Sequence, residues 1–296
     1  MITQEKRPAT MGERSLVEGD FVFRAEDFSR IAAMLHADAG IFLPESKATL
    51  VYSRLAKRLR TLGLQSFRDY CELVAGSDGL DERQKMLVSL TTNVTSFFRE
   101  PHHFDMLRTA ILPPLLAAAK TGKRVRLWSA ACSKGHEPYS MAMTILALMP
   151  DAADHDIRIL ATDIDTEVLA EGRAGRYEEG LLQSVPPAER KRGFLPASVD
   201  SRMLSVTPEM RRLVSFRELN LIGQWPMKGL FDVIFCRNVV IYFDDDTQAK
   251  VWSRFATTLV PGGTLFIGHS ERVQGPATGL FTSTGTTAYR FRGAKA

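Results

Sequence analysis

The chain has 296 residues, enough for one large domain or two smaller ones with ample core. Apolar residues make up 45% and charged residues 24%, the proportions of an ordinary soluble globular protein. A formal net charge of +4 lacks the dense basic stripe of a dedicated duplex-DNA binder, so no nucleic-acid partner is expected.

Residues 1–20 are polar and aperiodic and are expected to be a mobile tail. They carry no apolar run of the secretory type, and no window approaches the ~18 apolar residues of a membrane span. The expectation is a cytoplasmic protein without membrane insertion. Cys71, Cys132 and Cys236 lie far apart and form no ligand-spaced cluster, which predicts reduced thiols and no metal centre. His102-His103 is read as no metal pair, because adjacent helical positions splay apart.

Helical periodicity runs from Phe21 to about Ala110. Ile31, Met34 and Leu35 mark a first helix. Leu50, Val51, Leu55, Leu59 and Leu62 mark a second over 45–62, stopped by Gly63. Phe67, Tyr70, Cys71 and Val74 mark a third, and 81–90 a fourth. The second helix carries Lys47, Arg54, Lys57, Arg58 and Arg60 against Glu45, which predicts a basic outer face. Residues 21–110 are read as an all-helical domain and 111–124 as a linker, with Pro113-Pro114 perturbing or ending a helix. Between them lies Thr91-Thr92-Asn93-Val94-Thr95-Ser96-Phe97-Phe98-Arg99-Glu100, a cluster of short polar residues followed by aromatics and a charged pair. It suits a capping loop, or a segment presenting Asn93, Thr95 and Arg99 to a ligand.

From Val125 the pattern changes to α/β. Val125, Leu127 and Trp128 head a buried strand, Ser129 to Gly135 form a small-residue loop, and Pro138 sits in the first turn of a helix carrying Met141, Ile145, Leu148 and Met149. A strand, a tight loop and a helix opening toward it begin a nucleotide-binding unit. Ile157 to Thr162 is a second strand, ending in Asp163, an acid placed to accept both hydroxyls of a ribose. Residues 176–217 break the alternation with Pro186-Pro187 and short alternating runs, and are read as an inserted antiparallel subdomain. Leu213 to Leu219 then returns to the main sheet and ends at Asn220-Leu221. Phe231 to Cys236 is a core strand with Arg237-Asn238 at its carboxyl end, and Tyr242-Phe243 follows. A helix over about 247–259, a strand at 264–268 and a closing hairpin complete the domain.

One tight loop, no phosphate-binding Lys-Ser/Thr and a ribose acid indicate a nucleoside without a triphosphate. S-adenosylmethionine fits, and Glu137 beside the loop suits its ammonium group.

Four long motifs then carry a resemblance. Thr91-Thr92-Asn93-x-Thr95-x-Phe97-Phe98-Arg99-Glu100, Trp128-Ser129-Ala130-Ala131-Cys132-Ser133-x-Gly135-x-Glu137-Pro138-Tyr139-Ser140, Ala161-Thr162-Asp163-Ile164-Asp165 and Phe231-Asp232-x-Ile234-Phe235-Cys236-Arg237-Asn238-Val239-x-Ile241-Tyr242-Phe243 resemble the chemotaxis-receptor (CheR-type) methyltransferases, as does Gly268-His269-Ser270-Glu271. The likeness runs from about residue 21 to the C-terminus. It implies an α/β fold, a Rossmann-like class I SAM methyltransferase sheet over 125–296, preceded by the helical domain. It implies methyl transfer from S-adenosylmethionine to receptor glutamates, giving glutamyl methyl esters and S-adenosylhomocysteine. Carried over by position, the cofactor contacts are Asn93, Thr95, Arg99, Glu137, Asp163, Asn220, Leu221, Arg237 and Asn238, with Arg99 and Tyr242 nearest the methyl. Glutamate is ionised at neutral pH, so the reaction needs alignment and dehydration rather than a general base.

The resemblance also gives the basic helix an occupant, the Glu-rich methylation helices of chemoreceptors. Lys134 and His136 depart from the family pattern and bear on cofactor affinity. The segment Phe194 to Arg202 lacks the glycines of relatives that grip a receptor's C-terminal pentapeptide, so no such tether is expected. Two other readings stand beside this one: a silent receptor-docking or cofactor-sensing module, and a methyltransferase for another substrate. Against the latter, Asn238 is not followed by the Pro-Pro-aromatic run of adenine methylation.

Overall fold

The structure is a computed structural model that describes residues 14–197 and 202–293. It divides into two compact units, one ending at Thr92 and taking in Tyr242–Asp244, the other formed by Asn93–Ile241 with the chain from Asp245 onward.

In the helical unit, strands β1 (Ser15–Val17) and β2 (Phe23–Arg24) pair antiparallel ahead of helix α1 (Ala25–Ala39). Ser15–Val17, at the end of the stretch expected to be a tail, pair with the chain at the buried Phe23. Helix α2 (Ala48–Leu62) follows a single 3-10 turn and stops at Gly63, whose φ of 69° is the left-handed value a side chain resists. Helices α3 (Phe67–Ala75) and α4 (Leu80–Leu90) complete the unit, α3 starting where Ser66 Oγ accepts the Asp69 N–H at 3.1 Å. Ile31, Leu35, Val51, Leu55, Leu59, Phe67 and Tyr70 are buried there, as the apolar stripes predict, whereas Leu62, the last residue of the expected stripe, is 39% exposed. The loop Tyr242–Asp244 belongs to the same unit: Phe42 N–H donates to Tyr242 O at 2.7 Å, and Asp244 meets His36 at 2.6 Å.

The second unit opens with α5 (Pro101–Met106), a π turn over Leu107–Ile111, and α6 (Leu112–Lys120). The prolines at 113 and 114 therefore begin a helix rather than end one. They occupy first-turn positions where a missing N–H costs nothing, and the π turn before them absorbs the change of register. Leu107, Leu112 and Leu116 lie in one buried cluster with Val125 and Leu127, so residues 101–120 belong to the α/β unit, earlier than the expected linker at 111–124.

Strand β3 (Val125–Ala130), helix α7 (His136–Leu148), strand β4 (Ile157–Asp163) and helix α8 (Thr166–Ala174) alternate as expected. The insert follows: β5 (Arg176–Glu178), α9 (Pro187–Gly193), β6 (Phe194–Pro196) and β7 (Met203–Val206). Its three strands form a separate antiparallel sheet in the order β5-β7-β6. Residues 198–201, the middle of the glycine-free segment Phe194 to Arg202, lie outside the described residues. Helix α10 (Pro208–Leu213) leads to β8 (Val214–Glu218), which rejoins the main sheet parallel to β4. Then come β9 (Phe231–Cys236), α11 (Asp245–Thr258), β10 (Leu259–Ile267), β11 (Phe281–Gly285) and β12 (Ala288–Phe291).

The main sheet has seven strands in the order β11-β12-β10-β9-β3-β4-β8, with an antiparallel closing hairpin. Its order reverses at β3, the position where open α/β sheets bind ligands beyond their carboxyl ends. The sequence explains the burial: β3, β4 and β9 are near-continuous apolar runs, the composition of strands covered on both faces.

Candidate active site

Four adjacent strands, β9, β3, β4 and β8, end at Arg237-Asn238, the 131–135 loop, Asp163 and Asn220-Leu221 respectively. The reversal point thus carries most of the residues singled out from the sequence. A hollow of about 410 Å³, counting the open solvent at its mouth, lies there. Its lining includes Thr95, Arg99, Glu137, Arg237 and Asn238. Phe104, Ala131, Cys132 and Ser133 supply wall rather than charge. Asn93, Asp163, Asn220, Leu221 and Tyr242 are not on the lining.

The loop after β3 is tighter than its single glycine suggests. Gly135 has φ 86°, and Ala131 and Ser133 also sit at positive φ, 62° and 49°. Each such non-glycine residue costs on the order of 1–3 kcal/mol and persists only where its surroundings hold it. The holding contact is visible: Ser133 N–H donates to Asp163 Oδ2 at 2.8 Å, and Ser133 Oγ to Asn93 O at 3.2 Å. Asp163 and Asn93 therefore support the wall of the hollow through Ser133. Asp163 Oδ1 also accepts the Asp165 N–H at 3.0 Å. Burial pushes the Asp163 carboxyl up to about 6, against these backbone donors. Asp165 caps α8 through the N–H groups of Glu167 and Val168 and accepts the Asn93 amide at 2.7 Å. Leu219 N–H donates to Asp163 O at 2.9 Å, which ties the β8 end, and with it Asn220, to the same acid.

Glu137, in the first turn of α7, is held by Ser129 Oγ at 2.7 Å and Arg237 Nη1 at 3.2 Å. Burial raises its carboxyl above the ordinary range and Arg237 opposes this. Arg237 also donates to the Arg99 carbonyl and lies 3.5 Å from Glu100 Oε2. Burial would raise Glu100, but Arg237 and His269 outweigh it and hold its carboxyl low. Arg99 does not pair with Glu100; its Nη1 donates to Val94 O at 3.0 Å, within its own segment. Ser129, Glu100 and Glu271 stand in the sequence motifs without an evident role, and the structure makes each of them a partner of a residue at this site. The signal was there in principle, since a buried Arg flanked by motif acids requires counter-charges.

The departures from the family pattern are accounted for. Lys134 Nζ pairs with Glu171 Oε2 of α8 at 3.0 Å and is not on the lining. His136 is buried against Phe97 and Tyr177, ring centres 4.5 and 5.0 Å away, and burial lowers it to about 4, so it is neutral. The reading of His102-His103 needs a correction. The rings do not splay apart: their centres lie 4.2 Å from each other at a tilt of 56°, and Glu100 brings a carboxylate oxygen into the same cluster. The Arg237 guanidinium beside Glu100 already supplies the positive charge there.

In the helical unit, Arg54 donates to Thr91 O at 2.7 Å, and Arg58 grips Glu82 through two donors at 2.8 and 2.5 Å. Glu82, 8% exposed, also accepts the Tyr70 hydroxyl at 3.0 Å. Two of the five cations assigned to the basic face are thus committed inside the unit; Arg60 pairs with Asp20 at 2.6 Å on the surface, and Lys47 and Lys57 are exposed.

A parallel sheet with a reversal point, one tight loop and an acid at the next strand end define a nucleoside-binding α/β enzyme of the class I methyltransferase type. Residues 93–290 match the family described as CheR methyltransferase, SAM binding domain, and residues 26–91 match CheR methyltransferase, all-alpha domain. A probable chemotaxis protein methyltransferase of Rhizobium etli is 58% identical over 259 residues, covering 87% of this chain and 97% of the relative. Chemotaxis protein methyltransferase 2 of Pseudomonas aeruginosa is 42% identical over 272 residues (91% and 94% covered), and the chemotaxis protein methyltransferase of Escherichia coli 41% over 266 (88% and 89%). The chain belongs to the CheR methyltransferase family. No helix among the described residues is long and apolar enough to cross a membrane.

Proposed function

We propose that the protein transfers the methyl group of S-adenosylmethionine to glutamate side chains of chemoreceptors, forming methyl esters. The observation that carries this is the joint presence, on one hollow at the sheet's reversal point, of Glu137, Arg99 and Asn238, with Asp163 one hydrogen bond behind its wall. The donor set suits an amino-acid-bearing nucleoside: Glu137 for an ammonium, Arg99 for a carboxylate, and the remaining lone pairs of Asp163 for ribose hydroxyls. Asn93, Thr95, Asn220 and Leu221 flank the same edge. When bound, S-adenosylmethionine supplies a methyl group on a positively charged sulfur.

The chain's residues then bind, orient and exclude water. Arg237 acts through others, fixing the Glu137 carboxylate and the Arg99 backbone. Phe104 and Cys132 keep the wall apolar, which strengthens attraction between the charges that remain. The acceptor carboxylate is ionised at neutral pH, so no side chain has to remove a proton. Tyr242 is assigned to the slot for the acceptor on its place in the motif alone.

Chemoreceptors as partner follow from family membership and from the names of the relatives. Lys47 and Lys57 are exposed cations without a side-chain ion pair among the described residues, and they can steer an acidic methylation helix, which is recognised directly rather than through a pentapeptide tether. The test is incubation of the protein with labelled S-adenosylmethionine and membranes bearing candidate receptors. Label on the receptor that mild alkali releases as methanol supports a carboxyl ester. Alkali-stable label would assign a different acceptor atom, and cofactor binding without any transfer would favour a sensing module.

A further inference from the structure

Glu271 lies in the turn after β10, and its side chain is nearly buried. Its two carboxylate oxygens collect backbone N–H groups from both neighbouring strand ends. Oε1 accepts from Val239 at 3.0 Å and Val240 at 2.9 Å, and Oε2 accepts from Asn238 at 3.1 Å and Gly268 at 2.5 Å. Successive N–H groups turned to one side form a concavity that suits an anion, and here the anion is a side chain of the same unit. Asn238 sits in that concavity at φ 59°, a left-handed conformation that asparagine tolerates better than most residues and that the bonds to Glu271 hold in place. Asn238 is among the residues that line the hollow.

Gly268 completes the device. A Cβ there would stand 2.6 Å from Asn238 Nδ2, 2.8 Å from Asn238 N and 2.9 Å from Glu271 Oε2. The β9 and β10 ends therefore approach closely enough for one carboxylate to bridge them only because this position has no side chain.

We propose that Glu271 is a positioning residue for the cofactor: its carboxylate holds the backbone of Asn238 to Val240 in the left-handed turn that presents the Asn238 amide to the hollow. It touches no ligand itself. This rests on the reading of the hollow as the S-adenosylmethionine site. Glu271→Gln preserves the shape but replaces one accepting oxygen with a donating NH2, so part of the set of four N–H groups loses its acceptor.

The experiment uses the full chain, with S-adenosylhomocysteine as the probe for calorimetry and amide hydrogen exchange without ligand. Glu271→Gln is expected to weaken binding at least tenfold and to speed exchange at residues 238–240 at least tenfold. The distinguishing arm is a cycle with Asn238→Ala. If Glu271 acts through Asn238, Glu271→Gln adds less than a twofold loss in the Asn238→Ala background. Where Glu271→Gln prevents folding, Gly268→Ala, which presses on the same contact from the other strand end, gives the same reading. Unchanged affinity in Glu271→Gln, or an equal loss in both backgrounds, overturns the positioning role and leaves the proposed function standing. Failure of the native protein to bind the probe removes both.

Discussion

Arg237 Nη1 reaches Glu137 Oε2 at 3.2 Å while the two side chains are only 2% and 13% exposed. A cation this far from water, with three carbonyl or carboxylate neighbours, is the electrostatic centre of the reversal-point hollow. Deleting one partner leaves the other charged and buried, which typically costs about 3–5 kcal/mol, far more than the net worth of the pair. Arg237→Met is therefore expected to lower unfolding stability by about that amount, measured by urea titration. Adding Glu137→Gln in the same chain should restore much of it. A single variant as stable as the native protein would show that water screens the pair.

Asp163 makes cofactor binding dependent on pH. Its carboxyl is raised to about 6 by burial, so the protein without ligand takes up a proton there as pH falls through that value. Ribose hydroxyls need an accepting carboxylate, so ligand binding favours the charged form and affinity is full above pH 6. Below it, affinity should fall by up to about tenfold per pH unit. Asp163→Ala is expected to cost about 2–3 kcal/mol of cofactor binding, the scale of hydrogen bonds to a charged group, and to flatten this profile. Calorimetry with S-adenosylhomocysteine between pH 5 and 8 checks both; a native-like affinity in the variant would remove the ribose assignment.

Where one force sets an element, the sequence predicts it well. Phe231 to Cys236 is a strand from end to end because a run that is apolar but for Asp232 is most readily buried on two faces as a strand. Asp163, Arg237 and Asn238 fall at strand ends for the same reason. Choices between equivalent partners are not legible. Helices at 101–120 show the same periodicity whether they pack on helices or on a sheet, and the buried cluster puts them with the sheet. A single Gly135 hides the left-handed turns at Ala131 and Ser133, since strain enforced by Asp163 leaves no trace in residue type. Charges mislead most: Arg58 reads as part of a solvated face, yet its guanidinium closes over Glu82.

Two neutral histidines should make the α/β unit acid-sensitive. Burial lowers His103 to about 3, helped by Arg237, and His136 to about 4. Both folded values lie below the unfolded one near 6.5, so the unfolded chain binds protons first and stability is lost as pH falls below about 6.5. By pH 5 each histidine removes roughly 2 kcal/mol, at about 1.4 kcal/mol per unit. Asp163 works the other way, its folded value being raised, and returns about 1 kcal/mol over the same interval. These three groups together should thus lower the unfolding free energy by roughly 3 kcal/mol between pH 7 and 5, read by urea unfolding. His136→Phe should recover about 2 kcal/mol of that difference, and an undiminished difference would mean that this ring is protonated in the folded protein.

The helical unit offers a sharper separation of docking from folding than its charge count suggests. Arg58 and Glu82 are 24% and 8% exposed, and the Tyr70 hydroxyl completes the cluster. Burial, with Glu82 adding to it, pushes the Tyr70 phenol well above its usual range, so it stays a donor at any working pH. Arg58→Glu would set two carboxylates against each other in that cluster, and the unit is expected to lose on the order of 3–5 kcal/mol, whatever the receptor does. Lys47 and Lys57 are exposed and make no comparable contact, so reversing them should shift stability by no more than about 0.5 kcal/mol. If this face receives an acidic receptor helix, Lys47→Glu with Lys57→Glu raises KM for receptor several-fold, more at low salt than at high, and leaves cofactor affinity as it was. A receptor KM unchanged at low ionic strength in that folded double variant would move the docking surface elsewhere.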